Sequence, residues 1–193
     1  KGESMALGRQ NSGTIGSNAT VLSGFGVDIE SDYELVFAGY GPSAEALQNG
    51  QVKGIGTPAG VPTGAVSQLM AATGDGVTML DFTDEQLEAA DGGRGLWTRY
   101  VIPAGTYPGQ AEDINTIAQP NFLATHADLP EENVYQITKT IYENLPFLQA
   151  IHPATKAMAL EAAIAGLPVP LHPGAARFYQ EQGIEIPARL IAN

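Results

Sequence analysis

Between Met5 and Asp81 the chain alternates short β-like runs with helical segments, and this rhythm constrains the fold more than any other feature. The β runs are Ser4–Leu7, Glu34–Ala38, Val52–Thr57 and Val77–Phe82. Helical segments fall around Thr14–Ser23, Pro42–Gln48 and Pro62–Ala72, followed by glycine stops at Gly24, Gly50 and Gly74. Strands joined through helices pair in parallel, so the expected fold class is α/β, a mostly parallel sheet flanked by helices.

Composition narrows the function. At 193 residues, 44% hydrophobic and 16% charged, the chain can bury one substantial core or two small lobes. Nine basic against 21 acidic residues give a formal charge of -12, which opposes nucleic acid and anionic lipid as partners. No apolar run approaches the roughly 20 residues of a membrane span, so membrane insertion is not expected. The absence of cysteine removes thiol catalysis and thiolate metal sites. Lys1-Gly2-Glu3-Ser4 lacks the apolar stretch of a signal peptide, so Lys1 is not read as a natural start.

Beyond Asp81, Thr83 and Gln86 have capping-box spacing and open a helix that should end by Gly92-Gly93. Gly95 to Gly109 reads as an irregular loop, and Ile114 to Thr125 as a strand bent at Pro120. Asp128-Leu129-Pro130 starts an amphipathic helix in which Val134, Ile137 and Ile141 form the core stripe, with Tyr135 and Tyr142 beside it. After Phe147 the character changes: His152-Pro153, an alanine-rich helix from Thr155 to Ala165, a proline-rich stretch forming a fixed path, and a last helix from Ala175.

Asn11-Ser12-Gly13-Thr14 is the chief candidate site. It joins the first β run to a helix start, where first-turn N–H groups, the helix dipole and two hydroxyls can seat a carboxylate. Thr57 to Gly64 repeats the arrangement, and ligands in open α/β sheets sit at the carboxyl ends of strands, so both turns can line one crevice. The plain alternative is two ordinary turns, Ser12 or Thr14 merely capping its own helix.

Other chemistries find less support. His126, His152 and His172 are too far apart in sequence for a metal motif, and His172, between prolines, reads as a tie between loops. The Ser12 region lacks the Gly-x-Ser-x-Gly nucleophile elbow, although a triad of Ser12, His126 and Asp128 can be drawn. Gly39-Tyr40-Gly41 has no third glycine and no lysine, so it reads as a turn into a helix rather than a phosphate loop.

Several blocks, in this order, carry a family resemblance. They are Gly8 to Thr14, Ala46 to Gly54, Ile102 to Tyr107, Asn121 to Pro130, Val134 to Lys139 and Pro170 to Ala175. Together they resemble the solute-binding proteins of tripartite ATP-independent periplasmic (TRAP) transporters, in the branch called TAXI. The chain departs from the pattern at Asn11, where the family has glycine, and at Lys53, where it has an acidic residue.

The resemblance implies two α/β lobes closing by a hinge on a small carboxylate or amino acid, with no cofactor and no catalysis. It implies a periplasmic location and delivery of the solute to TRAP membrane subunits. Ser12, Gly13, Thr14 and Asn11 would bind the carboxylate, with Thr57, Gly60 and Tyr107 as further pocket residues. It also implies on the order of a hundred further residues before Lys1, a normal lobe, making the chain N-terminally truncated. Residues 4–147 would then form the second lobe, and 148–193 a helical segment packing on the missing first lobe. The alternative from another class is a small α/β hydrolase or transferase using Ser12 or Thr14, which requires a base beside one of them.

Overall fold

A computed structural model describes residues 1–151 and 153–192. The chain divides into two compact units, Lys1–Ala118 and Gln119–Asn193.

The first unit is built on a parallel sheet of β1 (Ser4–Gly8), β2 (Glu34–Phe37) and β3 (Gly54–Ile55), in the order β2-β1-β3. Met5 pairs with Leu35 on one side and with Gly54 on the other. As the middle strand, β1 buries Ala6, Leu7 and Gly8 in succession, the continuous burial of a parallel strand covered on both faces. The connecting helices are α1 (Gly13–Ser23), the short α2 (Ile29–Asp32), α3 (Tyr40–Gln48) and α4 (Gly64–Thr73). The expected α/β class holds: a parallel three-stranded sheet flanked by helices, consistent with a lobe of a periplasmic binding protein.

Helix α5 (Asp84–Asp91) begins at the expected capping box, with Thr83 and Gln86 bonded reciprocally, and stops at Gly92 in the left-handed conformation. Two expectations change beyond the sheet. Gly95 to Gly109 contains a strand, β4 (Thr98–Ile102), paired antiparallel with β5 (Ile114–Ala118), and β5 stops at Ala118 instead of reaching Thr125. Val77–Phe82 is not a strand. It meets β5 only irregularly: Phe82 N–H donates to the Asn115 carbonyl, while Asn115 N–H goes to the Asp81 carboxylate, a side chain standing where a ladder carbonyl would be.

Three apolar clusters hold this unit. Ala6, Ala46 and Val52 join the sheet to α3; Val66, Met70, Ile102 and Tyr107 join α4 to β4; Val21, Ala90 and Trp97 join α1, α5 and the start of β4. Gly24 permits the α1–α5 approach, since a Cβ there would lie 2.7 Å from the Ala89 carbonyl carbon.

In the second unit α6 (Glu131–Glu143) packs on α8 (Pro173–Glu181) through an aromatic cluster of Tyr135, Tyr142, Phe178 and Tyr179. The buried residues of α6 are Val134 and Thr138, while Ile137 is exposed, so the core stripe is rotated from the one expected. Thr138 is tolerated because its hydroxyl donates to the Val134 carbonyl. Helix α7 (Leu145–Ile151) follows α6 directly. The alanine-rich segment is not an α-helix; Pro153–Ala157 and Leu160–Ala162 are separate 3-10 turns, with Ala159 extended between them. The proline-rich path is fixed as expected, Leu171 pairing with Ile191, and His172 ties it down by a bond from Nε2 to the Leu129 carbonyl at 3.0 Å while Nδ1 accepts from Gly174 N–H.

Candidate functional site

Because all strands of the sheet run parallel, its carboxyl edge collects the N-termini of α1, α3 and α4. From β1 the chain next adds β2 on one side and later β3 on the other, so β1/β3 is the point where strand order reverses. Loops on either side of such a point diverge and leave a crevice, the usual ligand position in open α/β sheets. Here those loops are Arg9–Ser12 and Gly56–Thr63, the two turns singled out in the sequence.

The first turn is shaped for close approach. Gly8 has φ +128°, and a Cβ there would fall 2.8 Å from both the Ile15 nitrogen and Thr14 Cγ2. Asn11 takes the left-handed conformation at φ 59°, open to asparagine at little cost, so the missing glycine is replaced in kind. Ser12 caps α1: its Oγ accepts from Ile15 N–H at 3.4 Å and donates to the Arg9 carbonyl at 2.7 Å.

A tyrosine links the loops. Tyr40, in the first turn of α3, donates its hydroxyl proton to the Pro58 carbonyl at 2.6 Å and lies 3.2 Å from Thr14 Oγ1. A phenol has one proton, so Thr14 is the donor in the second contact. Asn18 adds a second tie, its side chain donating to the Leu7 carbonyl while lying against Gly56, where a Cβ would meet the Asn18 carboxamide.

Both candidate hydroxyl protons are therefore engaged within the protein. Among the described residues the Gly13 and Thr14 amides have no acceptor, and the Thr57 hydroxyl has no partner. Gly60 is exposed, and its carbonyl accepts from the Thr63 hydroxyl. Tyr107 is buried in the α4–β4 cluster and reaches the edge only through its hydroxyl, which accepts Thr63 N–H at 3.0 Å. Tyr40, Asn18 and Arg9 are additions to the residues expected from sequence. Arg9 carried a readable signal, a cation in the turn before a helix start, where cations are disfavoured.

Charge is sorted around this edge. In a chain with 21 acidic residues, the first turns of α1, α3 and α4 contain none, whereas α2, α5 and α6 each carry two. Helices elsewhere place their own carboxylates on the positive dipole end; the three at the crevice leave it open.

Neither Ser12 nor Thr14 has an imidazole or carboxylate among these partners. Ser12 lies in the first unit, while His126 and Asp128 lie in the second and bond to each other, Asp128 N–H donating to His126 Nδ1. His152 falls outside the described residues. No group of three metal-ligating side chains occurs among the described residues.

A parallel lobe with its ligand edge at β1/β3 is the setting in which sequence comparison becomes informative, and the model of the NMT1-like family matches residues 1–183. The chain belongs to the NMT1-like family. This is a family of binding proteins that includes TRAP-type periplasmic solute-binding proteins, and it gives the chain a solute-binding function with a small molecule as ligand. Members are usually extracytoplasmic, and among the described residues no helix is long and apolar enough to cross a membrane.

Proposed function

We propose that this NMT1-like protein is the solute receptor of a TRAP-type transporter, of the TAXI branch, capturing a small carboxylate or amino acid in the periplasm and delivering it to membrane subunits. The observation that carries the reading is the β1/β3 crevice, where the Gly13 and Thr14 amides lie at a helix N-terminus that no acid of the chain occupies. A carboxylate there accepts both amides and gains the dipole's favourable field. Ser12 and Asn11 hold the loop in the conformation that presents these amides, and the Thr57 hydroxyl is a third donor across the crevice. Gly60 and Tyr107 shape the far loop, Tyr107 through Thr63. Release and capture follow hinge closure onto a second lobe, the closed state favoured by contacts the ligand makes only there.

The test is amide-resolved NMR of the protein, titrated with a panel of amino acids and mono- and dicarboxylates. The expected result is saturable movement of the Gly13 and Thr14 amide signals with at least one of them. A folded protein whose signals move with none overturns the carboxylate site.

A further inference from the structure

Arg9 is oddly placed for a cation. Its guanidinium lies across Gly39, the N-cap of α3, so closely that a Cβ on Gly39 would sit 2.9 Å from Nη2 and 3.0 Å from Nε. That is the positive end of a helix dipole, where a cation is repelled rather than attracted. No side chain caps α3, no acid lies in its first turn, and among the described residues no carboxylate pairs with Arg9. Such a conflict between local rule and observed position is expected where function overrides stability. The contrast within the molecule is direct: Arg177 forks between Glu131 at 2.8 Å and Glu132 at 2.6 Å, and Arg99 pairs with Asp84 at 2.7 Å.

We infer that Arg9 is the specificity-determining residue of the crevice, holding a second anionic group so that the preferred solute is a dicarboxylate. The inference rests on the carboxylate site proposed above and adds the ligand's second charge. One carboxylate takes the Gly13 and Thr14 amides. The other takes the Arg9 fork, which matches a carboxylate in two parallel N–H···O bonds and is completed by the free first-turn amides of α3. Arg9 and Gly13 belong to one short turn, so a small molecule spans them. An anion between the guanidinium and the α3 N-terminus removes the repulsion that the empty arrangement contains.

Succinate and propionate distinguish the terms, titrated by NMR against the wild type, Arg9→Gln and Gly39→Ala. Arg9→Gln removes the charge. Gly39→Ala keeps it but displaces the guanidinium, at a backbone conformation (φ -80°, ψ 173°) that alanine adopts freely. The wild type is expected to bind succinate about tenfold or more tightly than propionate, a preference both variants lose while their propionate affinity stays unchanged. Equal succinate affinity in wild type and Arg9→Gln, with Gly13 and Thr14 still responding, overturns the role of Arg9 and leaves the carboxylate site standing. No response to either acid in the folded wild type overturns both.

Discussion

Asp91 holds together the elements that support α1, and the consequence of replacing it can be worked out from its bonds. Its carboxylate is 9% exposed and accepts three backbone N–H groups, from Gly95 and Leu96 at 2.7 Å and from Trp97 at 2.9 Å. Burial pushes its pKa up, but the three amides, with the Arg94 charge beside them, outweigh burial and hold it below the ordinary value. In Asp91→Asn one oxygen becomes an NH2 group. If the remaining oxygen keeps Leu96 and Trp97, the NH2 faces the Gly95 donor; if it turns to Gly95, two donors are opposed. Losing one charge-assisted bond of about 1.5–3 kcal/mol and leaving a donor unpaired amounts to about 2–4 kcal/mol. Trp97 is the sole tryptophan and lies in the α1–α5–β4 cluster, so its fluorescence in urea reports on this unit alone. Because the folded-state pKa is depressed, the contribution is complete above the unfolded value near 3.9 and is lost as pH falls through the folded value. The difference between wild type and variant should thus be full at pH 7 and shrink below about pH 4. A variant within about 0.5 kcal/mol of wild type at pH 7, or a difference constant down to pH 2, would refute the reasoning.

Three further outcomes follow from close contacts. Gly8→Ala combines a backbone conformation that L residues rarely adopt with overlap against Thr14 and Ile15, so it should cost more than about 2 kcal/mol in urea unfolding and weaken carboxylate binding. Tyr40→Phe removes the bridge between Thr14 and the Pro58 carbonyl; it should cost about 1–2 kcal/mol and speed amide exchange in Ala59 to Thr63, with exchange in α5 unaltered. Gly174→Ala drives a Cβ into the Glu131 carbonyl and the Tyr135 amide at the α6–α8 crossing; a loss of at least about 2 kcal/mol should appear in tyrosine near-UV dichroism while Trp97 fluorescence is unchanged.

What could be read from sequence follows the range of the interactions involved. The β1–α1, α3 and α4 segments were legible because periodicity, glycine stops and capping residues act within a few positions. Val77–Phe82 has the residues of a strand but loses the ladder to the Asp81 side chain, a competition that propensity does not register. The Thr155–Ala165 segment has strong helix propensity, yet alanine offers little apolar area to bury and short helices depend on packing, so only 3-10 turns form. At the crevice, Ser12 was visible as a cap. Tyr40 was not, because its partners Thr14 and Pro58 lie 26 and 18 residues away and only the fold brings them together.

The sorting of acids between helix starts implies that the crevice sacrifices stability for binding, and Gly13 can test this. A Cβ on Gly13 meets nothing within 4 Å, its φ is not positive, and it is the first residue of α1. Gly13→Ala should therefore stabilise the protein by about 0.4–1 kcal/mol through the unfolded chain alone, without altering carboxylate binding. Gly13→Asp should add a further 0.3–1 kcal/mol, roughly, by giving the dipole the carboxylate that α5 and α6 already have. The same aspartate occupies the place of the ligand and repels it, so succinate affinity should fall at least about tenfold while stability rises. Urea unfolding and the succinate titration, run on both variants, separate the two effects. If Gly13→Asp bound succinate as well as Gly13→Ala does, the open helix start would be a neutral accident of sequence and not the place where the solute sits.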